Sequence, residues 1–207
     1  MFTTSNGVAS LTLREIPYKK TAYIRLQDTL EPKALLDECC DFCRAVGAER
    51  VFATGHTILE SFPFYTAIWA MQCCRDSIPD TDAALFPVQQ QTLDQWRTLY
   101  NEHMRDIPNA QHMTNADAQK LLAKGNGYFI HRENDLLGIG IASGDRVDTV
   151  VAAFPGTGKD VLSALNYALS GEMVKLEVAS ENQRAVRFYE KMGFIRTDII
   201  ENWYQIF

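Results

Sequence analysis

No stretch of this sequence stays apolar for the roughly 18 residues that a membrane-crossing helix needs. The opening MFTTSNGVAS carries neither the basic flank nor the apolar centre of a secretion signal, so a cytoplasmic protein is expected. A basic region is missing too. Residues 1–86 carry 8 basic and 11 acidic side chains and residues 87–207 carry 12 and 15, so each part stands at −3 of the total −6. Neither part reads as a nucleic-acid module, and an acidic surface favours a cationic partner such as an amine. The five cysteines (Cys39, Cys40, Cys43, Cys73 and Cys74) are odd in number and confined to the first 75 residues. Adjacent cysteines suit a disulfide framework poorly, and a chain of this size does not need one. Zinc-ligand spacing is also lacking. Beyond Cys39 and Cys43, four apart, only Cys73, Cys74 and His56 remain, so no metal is expected and the thiols read as reduced core side chains.

What is present fits a globular protein: 46% hydrophobic and 22% charged residues over 207 positions, enough for one large or two small domains. The pattern divides near residue 82, giving an N-terminal α/β unit over 1–82 and a second domain over 83–207. In the first, residues 1–20 look irregular. Thr21 to Leu26 reads as a strand. Pro32 opens a helix whose stripe is Leu35, Leu36, Cys39, Cys43 and Val46, stopped by Gly47. Arg50 to Thr54 reads as a second strand, Phe64 to Cys73 as a buried third, and Ser77 to Asp82 as a linker.

In the second domain, Pro87 to Thr92 is an entering strand. Leu93, Trp96, Tyr100 and Met104 mark a helix. A loop with His112 leads to a second helix, capped by Thr114 or Asn115, with Ala118, Leu121 and Leu122 inward. Three strands follow: Tyr128 to Arg132, Leu136 to Ala142 and Arg146 to Phe154. The apolar end of the last suggests burial on both faces. Pro155-Gly156-Thr157-Gly158-Lys159-Asp160 then turns into a helix marked by Val161, Leu162, Leu165, Ala168 and Leu169. A glycine-rich strand-to-helix turn is a good anion cradle, because the backbone can approach and exposed N–H groups and the helix dipole favour phosphate. It is not a Walker loop, since Ala153 and Asp160 stand where Gly and Ser/Thr are required. Nor is it a dinucleotide fingerprint, since Val161 holds the place of the third glycine.

The most specific stretch is Leu176 to Phe194, LEVASENQRAVRFYEKMGF: a strand, a short turn, a helix with Asn182, Ala185, Tyr189 and Met192 at helical spacing, and a Gly193 stop. Asn182, Ala185, Phe188-Tyr189, Lys191 and Gly193-Phe194 closely resemble the last third of the GCN5-related N-acetyltransferases, and the element order over 87–207 is similar to theirs throughout. That family places a [Gln/Arg]-x-x-Gly-x-[Gly/Ala] loop after its fourth strand to hold the pyrophosphate of acetyl-coenzyme A. Here the letters are Ala153 to Gly158: both glycines match and the first position departs. The resemblance implies a mixed, mostly antiparallel sheet flanked by helices, with Ile195 to Phe207 holding the last two strands. The first unit echoes the second in outline. It reads either as a truncated, degenerate half of the same fold or as an unrelated α/β cap, without a coenzyme site of its own in either case.

The resemblance further implies that Val151, Ala152 and Ala153 bond the pantetheine arm, that Gly156, Thr157, Gly158, Lys159, Asp160 and Val161 hold the pyrophosphate, and that Asn182 fixes the arm. It puts Tyr189 near the sulfur, where it protonates the leaving thiolate or only packs. The implied activity is acetyl transfer from acetyl-coenzyme A to a primary amine of a small molecule or peptide, by direct attack in a ternary complex. Glu177, Asp148, Glu133, His131 and His112 are all open as the general base. The acceptor, the acyl length and self-association as a homodimer stay open. So do two alternatives: a catalytically idle coenzyme-binding regulator and a protein keeping only the fold for interaction.

Overall fold

The computed structural model describes all residues, Met1–Phe207. The chain divides into two compact units: Met1–Ile68 with Ile199–Phe207, and Trp69–Asp198. This differs from a division at residue 82. Strand β5 (Phe64–Cys74) and the last strand, β11 (Ile195–Gln205), are hydrogen-bonded neighbours, so the end of the chain folds with its beginning.

In the first unit the strand order is β1 (Phe2–Thr4), β2 (Gly7–Thr12), β3 (Thr21–Thr29), β4 (Arg50–Thr54), β11, β5. Residues 1–20 are thus not irregular. Ser5-Asn6 turns a hairpin between β1 and β2, with Gly7 opposite Thr4, and a short helix α1 (Ile16–Lys19) precedes β3. Gly7 adopts φ +144°, and a Cβ there would meet the Asp28 carbonyl oxygen at 2.2 Å, so the start of β2 requires glycine. Helix α2 (Pro32–Ala45) joins β3 to β4, which run parallel. It buries Leu35, Leu36, Cys39, Cys40 and Cys43 against Ala22, Ile24 and Leu26 of β3 and Val51 and Ala53 of β4. Val46 falls outside the helix and is exposed. On the other sheet face Tyr23, Phe52, Tyr65 and Trp203 pack together, as the two-residue period of strands requires. Strand β5 is covered unevenly rather than buried: Phe64 is exposed while Thr66 and Ala67 are buried.

In the second unit the order is β11, β5, β10 (Met173–Ala179), β9 (Arg146–Ala152), β8 (Asp135–Ser143), β7 (Gly127–Arg132), β6 (Ala84–Pro87). The entering strand ends at Pro87 instead of starting there. Phe86 and Pro87 pair with Phe129 and Tyr128, and Gln89 to Thr92 form a turn closed by the Thr92 hydroxyl. Helices α3 (Leu93–Met104) and α4 (Asn115–Lys124) pack Leu93, Trp96, Ala118 and Leu121 against Phe129, Ile139 and Val151. Thr114 and Asp117 form a reciprocal capping box at the start of α4. On the other face, α5 (Gly158–Asn166) and α6 (Gln183–Lys191) pack Val161, Leu162, Leu165, Val186 and Tyr189 against Val174, Leu176 and Val178 of β10.

Strand β9 stops at Ala152, and its apolar end is covered on both faces: Val151 is buried in the core under α3 and α4, and Val150 packs against the core under α5 and α6. The residues from Ile195 onward form one long strand rather than the two expected, because no glycine or proline follows Gly193 to turn the chain. No helix is long and apolar enough to cross a membrane.

Candidate active site

Strands β9 and β10 are parallel neighbours joined by a single register pair, Arg146 opposite Lys175, at their starts. The Lys175 N–H donates to the Asp145 carbonyl at 2.8 Å there. Two ion pairs brace the same end: Lys175 Nζ to Asp145 Oδ2 at 2.7 Å and Arg146 Nη2 to Glu177 Oε1 at 2.6 Å. Beyond that point the strands part. Their facing backbone groups are left for another partner, since buried peptide groups rarely stay unpaired.

Which groups face the gap follows from the ladder on the other side of β9. Ala153 N–H donates to the Leu137 carbonyl at 2.9 Å, and Val151 stands opposite Ile139 with the same parity. Antiparallel ladders alternate, so Val151 and Ala153 direct their backbone groups to β8, and Val150 and Ala152 direct theirs into the gap. Val150 was not singled out from the sequence. Its parity depends on the Leu137–Ala153 pairing, which no local motif reveals.

At the open end β9 runs into the glycine turn. Gly156 adopts φ +99° in open space, and the N–H groups of Gly156, Gly158, Lys159 and Asp160 take no acceptor within the chain. The turn is held from below by the Thr157 hydroxyl, which donates to the Leu137 carbonyl at 2.7 Å. Val161 N–H closes the first helical bond on Thr157, and the Val161 side chain is fully buried, so this residue anchors α5. A Cβ on Gly158 would lie 3.5 Å from the Phe188 ring, which puts α6 beside the turn. Lys159 is exposed and has no ion-pair partner. Asp160 is drawn away: its Oδ1 takes Arg132 Nη2 at 2.8 Å and the Thr81 hydroxyl at 3.0 Å. A carboxylate beside a phosphate would repel it, and here its charge is balanced by a cation.

Asn182 caps α6, its side-chain oxygen accepting the Ala185 N–H at 3.2 Å and leaving its NH2 group available. Tyr189 is buried among the core residues of this face, with Phe188 and Phe194 rings beside it. Burial alone pushes its phenol well above the ordinary value, so the hydroxyl stays protonated at any physiological pH.

The candidate bases are scattered. Glu177 and Asp148 both pair with Arg146 at the closed end of the gap, Asp148 at 3.7 Å. Glu177 lies on the exposed face of β10, opposite Leu176 and Val178, which settles its parity. His131 sits against the Phe86 and Phe129 rings, Glu133 is in the β7–β8 turn at φ +54°, and His112 Nε2 is 3.5 Å from the Asn101 amide.

Solved structures with this architecture span most of the chain. A functionally unknown conserved protein from Staphylococcus epidermidis matches with a TM-score of 0.60 and 11% identity, covering 94% of this chain and 87% of its own. A GCN5-related N-acetyltransferase from Anabaena variabilis matches with a TM-score of 0.60 and 12% identity, covering 89% of this chain and 54% of that one. An acetyltransferase of the same family from Colwellia psychrerythraea matches with a TM-score of 0.51 and 16% identity, covering 88% and 76%. No protein-family model matches the sequence, and neither does any curated protein. At these identities the likeness is one of fold: the chain has the mixed, mostly antiparallel fold of the GCN5-related N-acetyltransferases.

Proposed function

We propose that the chain is an N-acetyltransferase that moves an acetyl group from acetyl-coenzyme A to a primary amine of a small molecule or peptide. The observation that carries this is the parting of β9 from β10 after one pair, directly beside a turn with unbonded N–H groups at Gly156, Gly158, Lys159 and Asp160. These features fit a ligand with a peptide-like arm and a pyrophosphate at its end. The arm's amides match the backbone groups of Val150 and Ala152, and the pyrophosphate matches the helix N-terminus, with Lys159 adding charge.

The coenzyme supplies a thioester, an acyl carbon joined to a good leaving group. The chain's own residues supply position and electrostatics. The gap holds the arm so that an amine attacks directly in a ternary complex, which removes the entropy of a bimolecular encounter. A backbone N–H of β9 directed into the gap polarises the acyl oxygen. The Asn182 NH2 group fixes the arm. Tyr189, neutral and without a charged neighbour, donates a hydrogen bond to the departing sulfur. The net charge of −6 favours a cationic acceptor.

Calorimetric titration with acetyl-coenzyme A tests this. Binding in the micromolar range is expected, and absence of binding at millimolar ligand would overturn it.

A further inference from the structure

The geometry points to His103 as the general base that deprotonates the acceptor amine, an assignment that rests on the acetyltransferase reading above. His103 lies in the last turn of α3 and is exposed. Its Nδ1 is 2.9 Å from the Leu99 carbonyl oxygen. A carbonyl only accepts, so Nδ1 carries the proton and the neutral ring keeps its lone pair on Nε2. With Leu99, His103 lines an open, apolar depression whose other walls are Leu136, Gly138 and Ile139 of β8 and Val151 and Ala153 of β9. The imidazole is thus one residue along β9 from Ala152, whose backbone faces the gap, and on the α3 face of that strand. The carboxylates Glu177 and Asp148 are bound to Arg146 at the far, closed end of the gap, and His131 and His112 are engaged elsewhere.

The step is simple. The acceptor ammonium gives one proton to His103 Nε2. The freed lone pair forms the new N–C bond as the C–S bond breaks. The sulfur leaves with the bonding pair, steadied by a hydrogen bond from the Tyr189 hydroxyl, and takes a proton from water, while the nitrogen of the new amide loses its second proton to water. His103 returns its proton to solvent, so one proton is released per turnover. No oxidant or further reactant is needed.

The test compares wild type with His103→Gln, using two acceptors. One is a simple alkylamine, protonated at neutral pH. The other is hydroxylamine, which is largely unprotonated there and needs no base. His103→Gln should cut kcat for the alkylamine about 100-fold, within the range a positioned base contributes, and change hydroxylamine turnover by no more than about threefold. Coenzyme affinity by calorimetry should be unchanged. Independently of turnover, nitrogen-15 spectra of the histidine rings should show His103 as the Nδ1–H tautomer. Equal losses with both acceptors, no loss with the alkylamine, or an Nε2–H ring would overturn the assignment. If wild type bound no acetyl-coenzyme A, the acetyltransferase reading itself would fall, a result that the unchanged affinity of a working pair keeps separate.

Discussion

The two units repeat one topology and differ where it matters. In the first, the antiparallel run β1–β2–β3 is followed by helix α2 and a parallel strand β4. In the second, β7–β8–β9 is followed by α5 and a parallel strand β10. Yet β3 and β4 stay paired from Thr21 opposite Arg50 to Arg25 opposite Thr54, whereas β9 and β10 share only Arg146 opposite Lys175. The turns differ in the same sense. Before α2 stand Leu30, Glu31 and Pro32. The first two N–H groups both donate to the Asn6 carbonyl, at 2.9 and 3.1 Å, proline has none, and Glu31 places negative charge at the helix start. Before α5 the Thr157 N–H donates to the Phe154 carbonyl at 3.3 Å, but the Gly156 N–H takes no acceptor. A fold of this kind is therefore not in itself a coenzyme site. The site needs a parallel pair that fails to close and a turn that leaves its donors unused.

The largest effect should come from filling the turn. Gly158→Glu puts a carboxylate at the start of α5, against the Phe188 ring, in backbone that any residue can adopt. It should weaken acetyl-coenzyme A binding by at least about 100-fold in a calorimetric titration without changing the far-ultraviolet circular dichroism. Leu30→Glu, at the matching turn of the first unit, should leave affinity unaltered. Loss of binding in the second variant would erase the contrast between the units.

Thiol chemistry probes the closed state of the first unit. Burial pushes the Cys39 and Cys40 thiols up to about 12 and Cys43 up to about 11 from an ordinary 9.0. At pH 8 these groups should react with an aromatic disulfide reagent about 100- to 1,000-fold slower than a free thiol. Only exposed Cys74 should react promptly, giving one thiol per native chain and five in urea. The sign for stability follows. The folded values lie above the unfolded one, so the contribution is intact below pH 9 and lost as pH rises from about 9 toward 11–12. The melting midpoint should fall across that window. Prompt reaction of four or five thiols would show that the sheet under α2 opens as readily as the gap beside α5.

Tyr189→Phe should act on turnover alone, by about tenfold, with affinity within about twofold of wild type. The hydroxyl is all that is removed, and the ring keeps its packing against Phe188 and Phe194. Equal loss of affinity and rate would reduce Tyr189 to a packing residue.

Sequence alone was most informative where chemistry is local. Strand β4 was legible to the residue, as was the Gly193 stop of α6, and the cap of α4 was narrowed to Thr114 or Asn115, because turn, cap and glycine signals lie within a few positions of what they control. The β1–β2 hairpin turns on Ser5-Asn6, a local signal, but a β1 of only three residues is too short to show a strand pattern. What lay beyond the sequence was pairing. That β11 joins the first unit, that β9 and β10 part after one pair, and that Val150 rather than Val151 faces the gap all depend on neighbours far along the chain. His103 was hidden for the same reason. On α3 it is an ordinary polar residue in a last turn, and only the packing of that helix over Val151 and Ala153 gives it a role.

The smallest expected effect bears on how the gap is held at its closed end. Arg146 bridges Glu177 and Asp148, and the Glu177 carboxylate raises its guanidinium further, so it is charged at every working pH. All three side chains are well exposed, and such pairs contribute at most about 1 kcal/mol after solvent screening. Arg146→Ala should therefore move the melting midpoint little. The gap is more sensitive, because its angle is set where the strands last touch. Without Arg146 only the Lys175 N–H to Asp145 bond and the Lys175–Asp145 pair remain. Coenzyme affinity should fall about threefold, and the corresponding change at Arg50, opposite Thr21 in the paired strands of the first unit, should leave it unaltered. If Arg146→Ala bound as wild type does, the backbone pair alone would fix the opening, and the ion pairs would be surface charge without a part in the site.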